Sequence, residues 1–210
     1  NVAVGRNALR NNISGANNVT TGSLSLHNNT TGAENTANGH EALYNNTTGN
    51  LNTAVGRYTL VANTTGTNNT AIGYHAGSNL TTGSYNSCIG RDAEPTSATV
   101  SGQFTLGDGN IGTLRCNDQS IGSLSDSRDK TDVIDSPYGL DFINTVRPVQ
   151  FLWDTRDGNI KDGSTRVGFI AQELLAACDG DNAILDLVTE DNPEKLEAKY
   201  GNLLPIMVQA

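Results

Sequence analysis

Glycines recur every 17 residues through the first half of the chain, and this spacing limits the possible fold more than any other feature. One series consists of Gly5, Gly22, Gly39, Gly56, Gly73 and Gly90, and a second of Gly15, Gly32, Gly49, Gly66 and Gly83. Asparagine from Asn1 to Asn86 and leucine from Leu9 to Leu60 keep the same period. The unit reads approximately N-T-A-V-G-x-x-A-L-x-N-N-T-T-G-x-x over residues 1–93. Such a period predicts stacked structural repeats.

The composition of the unit favours β-structure. It is too short for two helices and too rich in Gly and Asn for one. Thr and Val favour strands, whereas Asn and Gly suit turns. We therefore expect two strand-prone segments per unit, T-A-V and the segment around A-L, and stacking of identical units into a β-solenoid or β-roll.

The apolar content of one unit is small, which bears on the number of chains. The inward candidates of one unit are Ala54, Val55, Thr59 and Leu60. Three chains wound about one axis would share a core and cover strand edges, so we expect a trimeric fibre with cyclic symmetry. A wide single-chain solenoid is the competing architecture. In either case we expect Val55 and Ile72 to point inward, and Asn52 and Asn69 to occupy equivalent turn positions.

Charge divides the chain into two parts. The 210 residues include 13 basic and 22 acidic side chains, a net charge of −9. The charges within residues 1–95 cancel, so the whole excess lies in residues 96–210 and marks a domain boundary near residue 96. The acidic balance disfavours a nucleic-acid partner, and the absence of a long apolar run argues against membrane insertion. The chain opens without Met or a signal peptide, which indicates a segment of a longer protein.

No residue set has the spacing of a metal or cofactor site, and we expect neither group. The cysteines are far apart and odd in number, which is typical of buried thiols; they are Cys88, Cys116 and Cys178. The histidines share no repeat position, and we expect them on the surface; they are His27, His40 and His75.

After the repeats the pattern changes. Residues 96–125 are predicted to be a β connector with short strands that continue the fibre. Residues 126–210 are predicted to be a small α+β domain with a truncated C-terminal helix. Its predicted elements are a helix from Pro137 to Val146, strands at 149–153 and 167–170, a helix at 171–178, a strand at 184–188 and a helix starting at 203.

Four sequence blocks then carry a family resemblance. They are S-L-S-D-S-R-D-K (123–130), P-Y-G-L-D-F-I-N-T-V-R-P-V-Q-F-L-W-D (137–154), V-G-F-I-A-Q-E-L (167–174) and Y-G-N-L-L-P-I-M-V-Q-A (200–210). In this order they resemble the intramolecular chaperone at the C-terminus of phage tail fibres, neck appendages and endosialidase tailspikes. That family shares S-D-x-R-x-K, R-P-V-x-F and G-F-I-A-Q-E. The resemblance covers about residues 114–210. More loosely, the Asn-rich repeats resemble stalks and heads of trimeric phage fibres and bacterial adhesins.

The resemblance implies a chaperone that trimerises, aligns three chains for β-fibre folding, and then cuts itself off between Ser125 and Asp126. Ser125 and Lys130 match the family's catalytic Ser and Lys, so the implied activity is an autoproteolytic serine endopeptidase that acts only on its own chain. A desolvated Lys can activate a Ser nucleophile. The chain has Asp129 where the family usually has Leu, and this carboxylate would favour the charged lysine and slow cleavage.

The identity of the nucleophile stays open at the level of sequence. A Ser125 hydroxyl that attacked its own carbonyl would close a strained four-membered ring. Ser125 could instead act on a neighbouring chain or on the Leu124 carbonyl, or another group could be the nucleophile. Ser123 and Ser127 are nearby alternatives.

Taken together, these features predict a phage tail-fibre or tailspike segment for host attachment, present in the virion and extracellular when mature. A homotrimer and a host-surface glycan or protein receptor are the expected partners. Two alternatives are a bacterial trimeric surface adhesin and an ice-binding β-solenoid. The second is disfavoured because we expect the Thr residues beside turn glycines rather than in a flat T-x-T array.

Overall fold

The computed structural model describes residues 1–111, 130–152, 165–192 and 196–209. The chain divides into two compact units, residues 1–111 and residues 112–210. Within the described ranges, no helix is long and apolar enough to cross a membrane.

The first unit is a parallel β-solenoid of about six turns. Its seven strands stack in chain order into one sheet, and partner residues in the first six strands are 17 positions apart. The strands are β1 (Val2–Val4), β2 (Val19–Thr21), β3 (Thr36–Asn38), β4 (Thr53–Val55), β5 (Thr70–Ile72), β6 (Ser87–Ile89) and β7 (Phe104–Leu106). β7 pairs with β6 at the same spacing of 17 residues, so the sheet extends to residue 106.

Each turn contains one strand, not the two that the unit predicted. Gly56 ends β4 with φ of +137°, and a Cβ there would lie 2.4 Å from the Gly73 carbonyl oxygen, so only glycine fits. The following A-L segment is a turn, because Tyr58 and Leu60 have left-handed backbones with φ of 61° and 50°. A left-handed conformation is incompatible with a strand, and the expectation of a second strand was wrong.

The direction of the strand side chains also differs from the expectation. In β4 the middle residue, Ala54, is completely buried, whereas Val55 is 36% exposed. Ile72 in β5 is 43% exposed, so the inward assignment of Val55 and Ile72 was wrong. The reason is the period of two in a strand: when the middle of a three-residue strand faces the core, both ends face outward. The core therefore contains stacked alanines, a leucine stack of Leu26, Leu43 and Leu60, and Leu80 from a different repeat position.

Buried asparagines complete this core. The Asn52 side chain donates to the Gly66 carbonyl at 2.9 Å and accepts the backbone N–H of Asn69 at 3.0 Å. The same pattern recurs every 17 residues from Asn18 to Asn86, so Asn52 and Asn69 occupy equivalent turn positions, as predicted. These hydrogen bonds satisfy backbone groups that the turns leave without a strand partner. One chain thus completes every turn by itself, which is the single-chain architecture named above as the alternative to interwound chains.

The second unit contains four short helices and two small antiparallel sheets among its described residues. The helices are α1 (Leu140–Ile143), α2 (Ala171–Ala177), α3 (Asn182–Leu185) and α4 (Leu204–Gln209), with a 3₁₀ helix at Tyr200–Leu203 before α4. The strands are β8 (Val149–Leu152), β9 (Thr165–Gly168), β10 (Val188–Thr189) and β11 (Glu197–Ala198), paired as β8 with β9 and β10 with β11. Leu174, Leu187, Val188, Leu203 and Ile206 are buried together in its core.

Two predicted elements of this unit need correction. The helix expected from Pro137 to Val146 is only the single turn of α1. The strand expected at 184–188 was wrong for all but its last residue, because α3 extends to Leu185, Asp186 follows in a left-handed conformation, and β10 begins only at Val188. The Asn182 side chain explains this, since its Oδ1 accepts the N–H groups of Leu187 and Val188, both at 3.1 Å, and fixes the turn after α3. A short apolar run does not distinguish a helix from a strand by itself.

Candidate functional site

The predicted processing motif lies mostly outside the described residues. Ser125, Asp126 and Asp129 fall in the range 112–129, as do Ser123, Leu124 and Ser127. Lys130 is the first described residue after this range, and it is exposed in irregular backbone upstream of α1. The catalytic roles of Ser125 and Lys130 therefore stay predictions.

Two of the sequence blocks that follow the processing motif, R-P-V-Q-F and V-G-F-I-A-Q-E-L, lie together in the fold. β8, from R-P-V-Q-F, pairs with β9, so that Val149 lies opposite Gly168. The residues on either side also meet: Arg147 Nε donates to Glu173 Oε2 at 3.0 Å, and Arg147 Nη2 donates to Glu173 Oε1. This two-pronged ion pair joins the segment before β8 to helix α2, the helix of A-Q-E-L.

Hydrogen bonding to Glu173, reinforced by its charge, raises the pKa of Arg147 above its usual value. Arginine is charged at every physiological pH in any case, and this exposed ion pair links the two motif blocks at the surface. The sequence did not pair these residues, because Glu173 has the pattern of an ordinary helix-surface charge. The only available signal was the presence of one basic and one acidic residue beside the β8 and β9 segments.

With these blocks in place, comparison with known families is informative. Residues 125–183 match the chaperone-of-endosialidase family. The match begins at Ser125 and includes the S-D-x-R-x-K, R-P-V-x-F and G-F-I-A-Q-E motifs, so the resemblance to an intramolecular chaperone is confirmed. Neither a curated protein nor a solved structure gives a significant match to the chain. Residues 126–210 are called the chaperone domain below.

The chaperone domain exposes large apolar side chains among its described residues. They lie before α1, on β8 and β9, and on the helices; they are Val133, Ile134, Leu140, Leu152, Val167, Ile170, Ile184, Leu204, Met207 and Val208. On α4, Ile206 is buried while Leu204 and Met207 are exposed, so this helix is apolar on both faces. Extensive exposed apolar surface is typical of chains that associate.

The cysteines and histidines of the described ranges do not form a second site. Burial and the nearby Glu94 carboxylate raise the pKa of the Cys88 thiol to about 11. Burial also raises the pKa of Cys178, so both thiols are protonated at neutral pH and poor nucleophiles. Both are buried, as predicted, and Cys116 lies outside the described residues. Nowhere in the described ranges do three or more His, Cys, Asp or Glu residues form a group that could hold a metal ion.

Proposed function

We propose that this chain is part of a phage tail fibre or tailspike that attaches to the host, and that its chaperone domain aligns three chains and then cleaves itself away. The observation that carries the proposal is the order of the two units. A parallel β-solenoid is followed directly by a match to the chaperone-of-endosialidase family. The mature protein would then be a virion component outside the cell, with a host glycan or protein as its receptor.

Assembly into a homotrimer is supported by the apolar surface of the chaperone domain. A single copy leaves Leu140, Leu204 and Met207 exposed, and neighbouring copies would remove such side chains from water. Light scattering of the purified, uncleaved chain should give about three times 22.1 kDa. A monomer at micromolar concentration would contradict the trimer.

The proposed cleavage is hydrolysis of the Ser125–Asp126 peptide bond. A Ser125 hydroxyl from a neighbouring chain attacks the carbonyl, and Lys130 accepts the hydroxyl proton. The Asp126 amine takes a proton and leaves, and water then hydrolyses the ester to give a Ser125 carboxylate. Attack between chains avoids the four-membered ring that attack within one residue would require.

Lys130 is exposed in the single chain. A lysine acts as a base only when a desolvated environment favours its neutral form. Trimer formation would supply that environment by covering the segment around Lys130 with neighbouring chains. The proposal therefore makes cleavage dependent on assembly, which also explains why the chaperone would not be released before its task is complete.

A gel experiment tests this mechanism. Ser125→Ala and Lys130→Ala should each leave the chain intact but trimeric, whereas Ser127→Ala, the matched control, should be cleaved like the wild type. Co-expression of the Ser125→Ala and Lys130→Ala chains should restore partial cleavage, because a mixed trimer holds both groups on different chains. Normal cleavage of Lys130→Ala would contradict the assignment of Lys130 as the base.

An ice-binding solenoid is a second candidate, supported by one observation. Thr36, Thr53 and Thr70 pair in register at the outward first position of β3, β4 and β5, so their side chains form a regular column. This regularity is greater than the sequence led us to expect. Thermal hysteresis of the full chain separates the candidates, since a host-attachment fibre should show none.

A further inference from the structure

Several positions of the 17-residue unit change from turn to turn, and two of them hold most of the charged, histidine and tyrosine side chains. They are the two residues that follow the turn glycine of each unit, beginning with Arg6 and Asn7. Residues 1–95 contain 15 charged, histidine and tyrosine side chains, and nine of them lie at these two positions. The glycine, asparagine and leucine positions repeat because like residues stack on like. The two positions after the turn glycine do not repeat, and there the chain concentrates charged and aromatic side chains.

The side chains at these positions contact one another from turn to turn. The ring ridge, as we call it, consists of His40, Arg57, Tyr58, Tyr74, His75 and Arg91. Ring centroids are 5.5 Å apart between His40 and Tyr58, and 5.2 Å apart between Tyr58 and His75. Tyr74 stacks on His75 with centroids 4.8 Å apart. The rings therefore form a continuous row across three successive turns of the solenoid.

The arginines of the ring ridge lie beside its tyrosine rings. The Arg57 guanidinium lies 4.4 Å from the centre of the Tyr58 ring, and that of Arg91 lies 6.0 Å from the centre of the Tyr74 ring. Arg91 Nε also lies 2.9 Å from Asp92 Oδ2. Side chains that are ordered before binding lose less conformational entropy when a ligand arrives. They are also accessible, since Tyr74 is 42% exposed and the Arg91 side chain 74% exposed.

We propose that the ring ridge binds a saccharide chain that lies along the solenoid axis. The proposal rests on the host-attachment function proposed above and gives that function a site. Tyr and His rings present apolar surface to the C–H groups of a sugar and polar edges to its hydroxyls. The guanidinium and imidazole groups of the ring ridge complete the hydrogen bonding. Since stacked turns are about 4.8 Å apart, the row from His40 to Arg91 is about 14 Å long, the length of a short oligosaccharide.

Binding of the full chain to an immobilised array of neutral and acidic oligosaccharides tests the proposal, followed by calorimetric titration with the saccharides that bind. Binding of neutral saccharides would indicate recognition of hydroxyls alone. Binding of acidic saccharides only would indicate that the arginine charge is also needed. Tyr74→Ala and Arg57→Gln should each lower affinity at least tenfold. Tyr85→Ala, an exposed tyrosine at a different repeat position, should leave affinity unchanged.

Trimer mass and cleavage are measured for the same proteins, so that the two proposals fail separately. If the wild type is trimeric and cleaved but binds no saccharide of the array, the ring ridge proposal is overturned and the chaperone proposal stands. Equal loss of affinity in Tyr85→Ala would overturn it as well. If saccharide binding survives while the wild type stays monomeric and uncut, the proposed chaperone function fails instead. Tyr74→Ala removes a ring from the row and could prevent folding. In that case the affinity of Arg57→Gln, a change at an exposed side chain, decides the test.

Discussion

The solenoid and the chaperone domain both have small cores, but different contacts stabilise them. In the solenoid, each turn buries only a few alanine and leucine side chains, and buried asparagines satisfy the remaining backbone groups. Every contact recurs one turn later, so the structure extends by addition of turns. The chaperone domain instead has one compact cluster around Leu174 and Leu187, with unique contacts such as those of Asn182.

This difference between the two cores indicates which region depends on contacts with other chains. Both regions expose apolar residues, such as Val55 and Ile72 in the solenoid and Leu204 and Met207 in the chaperone domain. A solenoid turn, however, closes its core and pairs its strand within one chain, so under the proposed function we expect association to depend on the chaperone domain more than on the coil. A substitution in one region should leave the other folded, and the following predictions test that separation.

The largest expected effect is a charge in the solenoid core. Ala54→Asp would bury a carboxylate between the stacked Ala37 and Ala71 and should cost more than about 4 kcal/mol, enough to prevent coil formation. Val55→Asp, the neighbouring control, places the same charge outward and should cost about 1 kcal/mol or less. Urea denaturation followed by circular dichroism measures both. Equal damage from the two variants would show that Val55 faces the core after all.

The next effect concerns the asparagine stack. Asn52→Ala would leave the Asn69 N–H and the Gly66 carbonyl buried without partners and should cost about 3 kcal/mol. Asn38→Ala, at an exposed position of β3, is the matched control and should be nearly neutral. The same denaturation experiment applies. A cost for Asn52→Ala no greater than that of the control would refute the structural role of the stack.

In the chaperone domain, Leu187→Ala should cost about 3 kcal/mol, because it leaves a cavity in the only large apolar cluster of that domain's described residues. Ile184→Ala, at an exposed position of α3, is the control and should cost little. Hydrogen exchange should show faster exchange in the chaperone domain alone, with solenoid protection unchanged. Loss of protection in both units would mean that they fold as one.

A smaller effect is expected where the repeat breaks. The Asn63 Oδ1 atom is buried without a hydrogen-bond partner, because the next turn has Leu80 where Asn would donate. The same turn has Gly77 where earlier turns have Leu, and Leu60 extends into that space, since a Cβ at Gly77 would lie 2.8 Å from Leu60 Cδ2. The double variant Gly77→Leu with Leu80→Asn restores the repeat and should change stability by about 1 kcal/mol or less, whereas either single change should cost about 2 kcal/mol. If the double variant loses as much stability as the two single variants together, positions 77 and 80 are not coupled.

The smallest effect is a pH dependence at the end of the solenoid. The Glu94 carboxylate accepts the N–H groups of Ser78 at 2.8 Å and Asn79 at 3.1 Å, yet burial outweighs these bonds and raises its pKa. Folding therefore favours the protonated form, so this contribution is fully present below the unfolded-state pKa and is lost as pH rises through the folded-state pKa. The urea midpoint of the wild type should fall slightly across that range. Glu94→Gln should remove this dependence, and an unchanged pH profile in that variant would exclude Glu94 as its source.

The sequence alone predicted the architecture well because repetition is a strong constraint. The glycine period gave the 17-residue turn, and the asparagine period gave equivalent positions that the structure confirms at Asn52 and Asn69. The motif blocks between residues 123 and 174 identified the resemblance to the chaperone family, which the match over residues 125–183 confirms. The predicted helix at 171–178 agrees closely with α2, because a continuous run of helix-forming residues has no turn signal inside it.

Only the tertiary structure decided which side of each strand faces inward. A three-residue strand has too few residues for a pattern of alternation, and only the folded coil shows that Ala54 faces the core while Val55 faces outward. The left-handed backbone of Leu60 likewise has no sequence signal, because leucine rarely adopts it and does so here to join one turn to the next. The pairing of Arg147 with Glu173 and the row of rings from His40 to Tyr74 also depend on chain segments that meet only after folding. Local composition therefore determined the period and the family, whereas side-chain direction and long-range contacts were fixed by the space that the folded chain leaves.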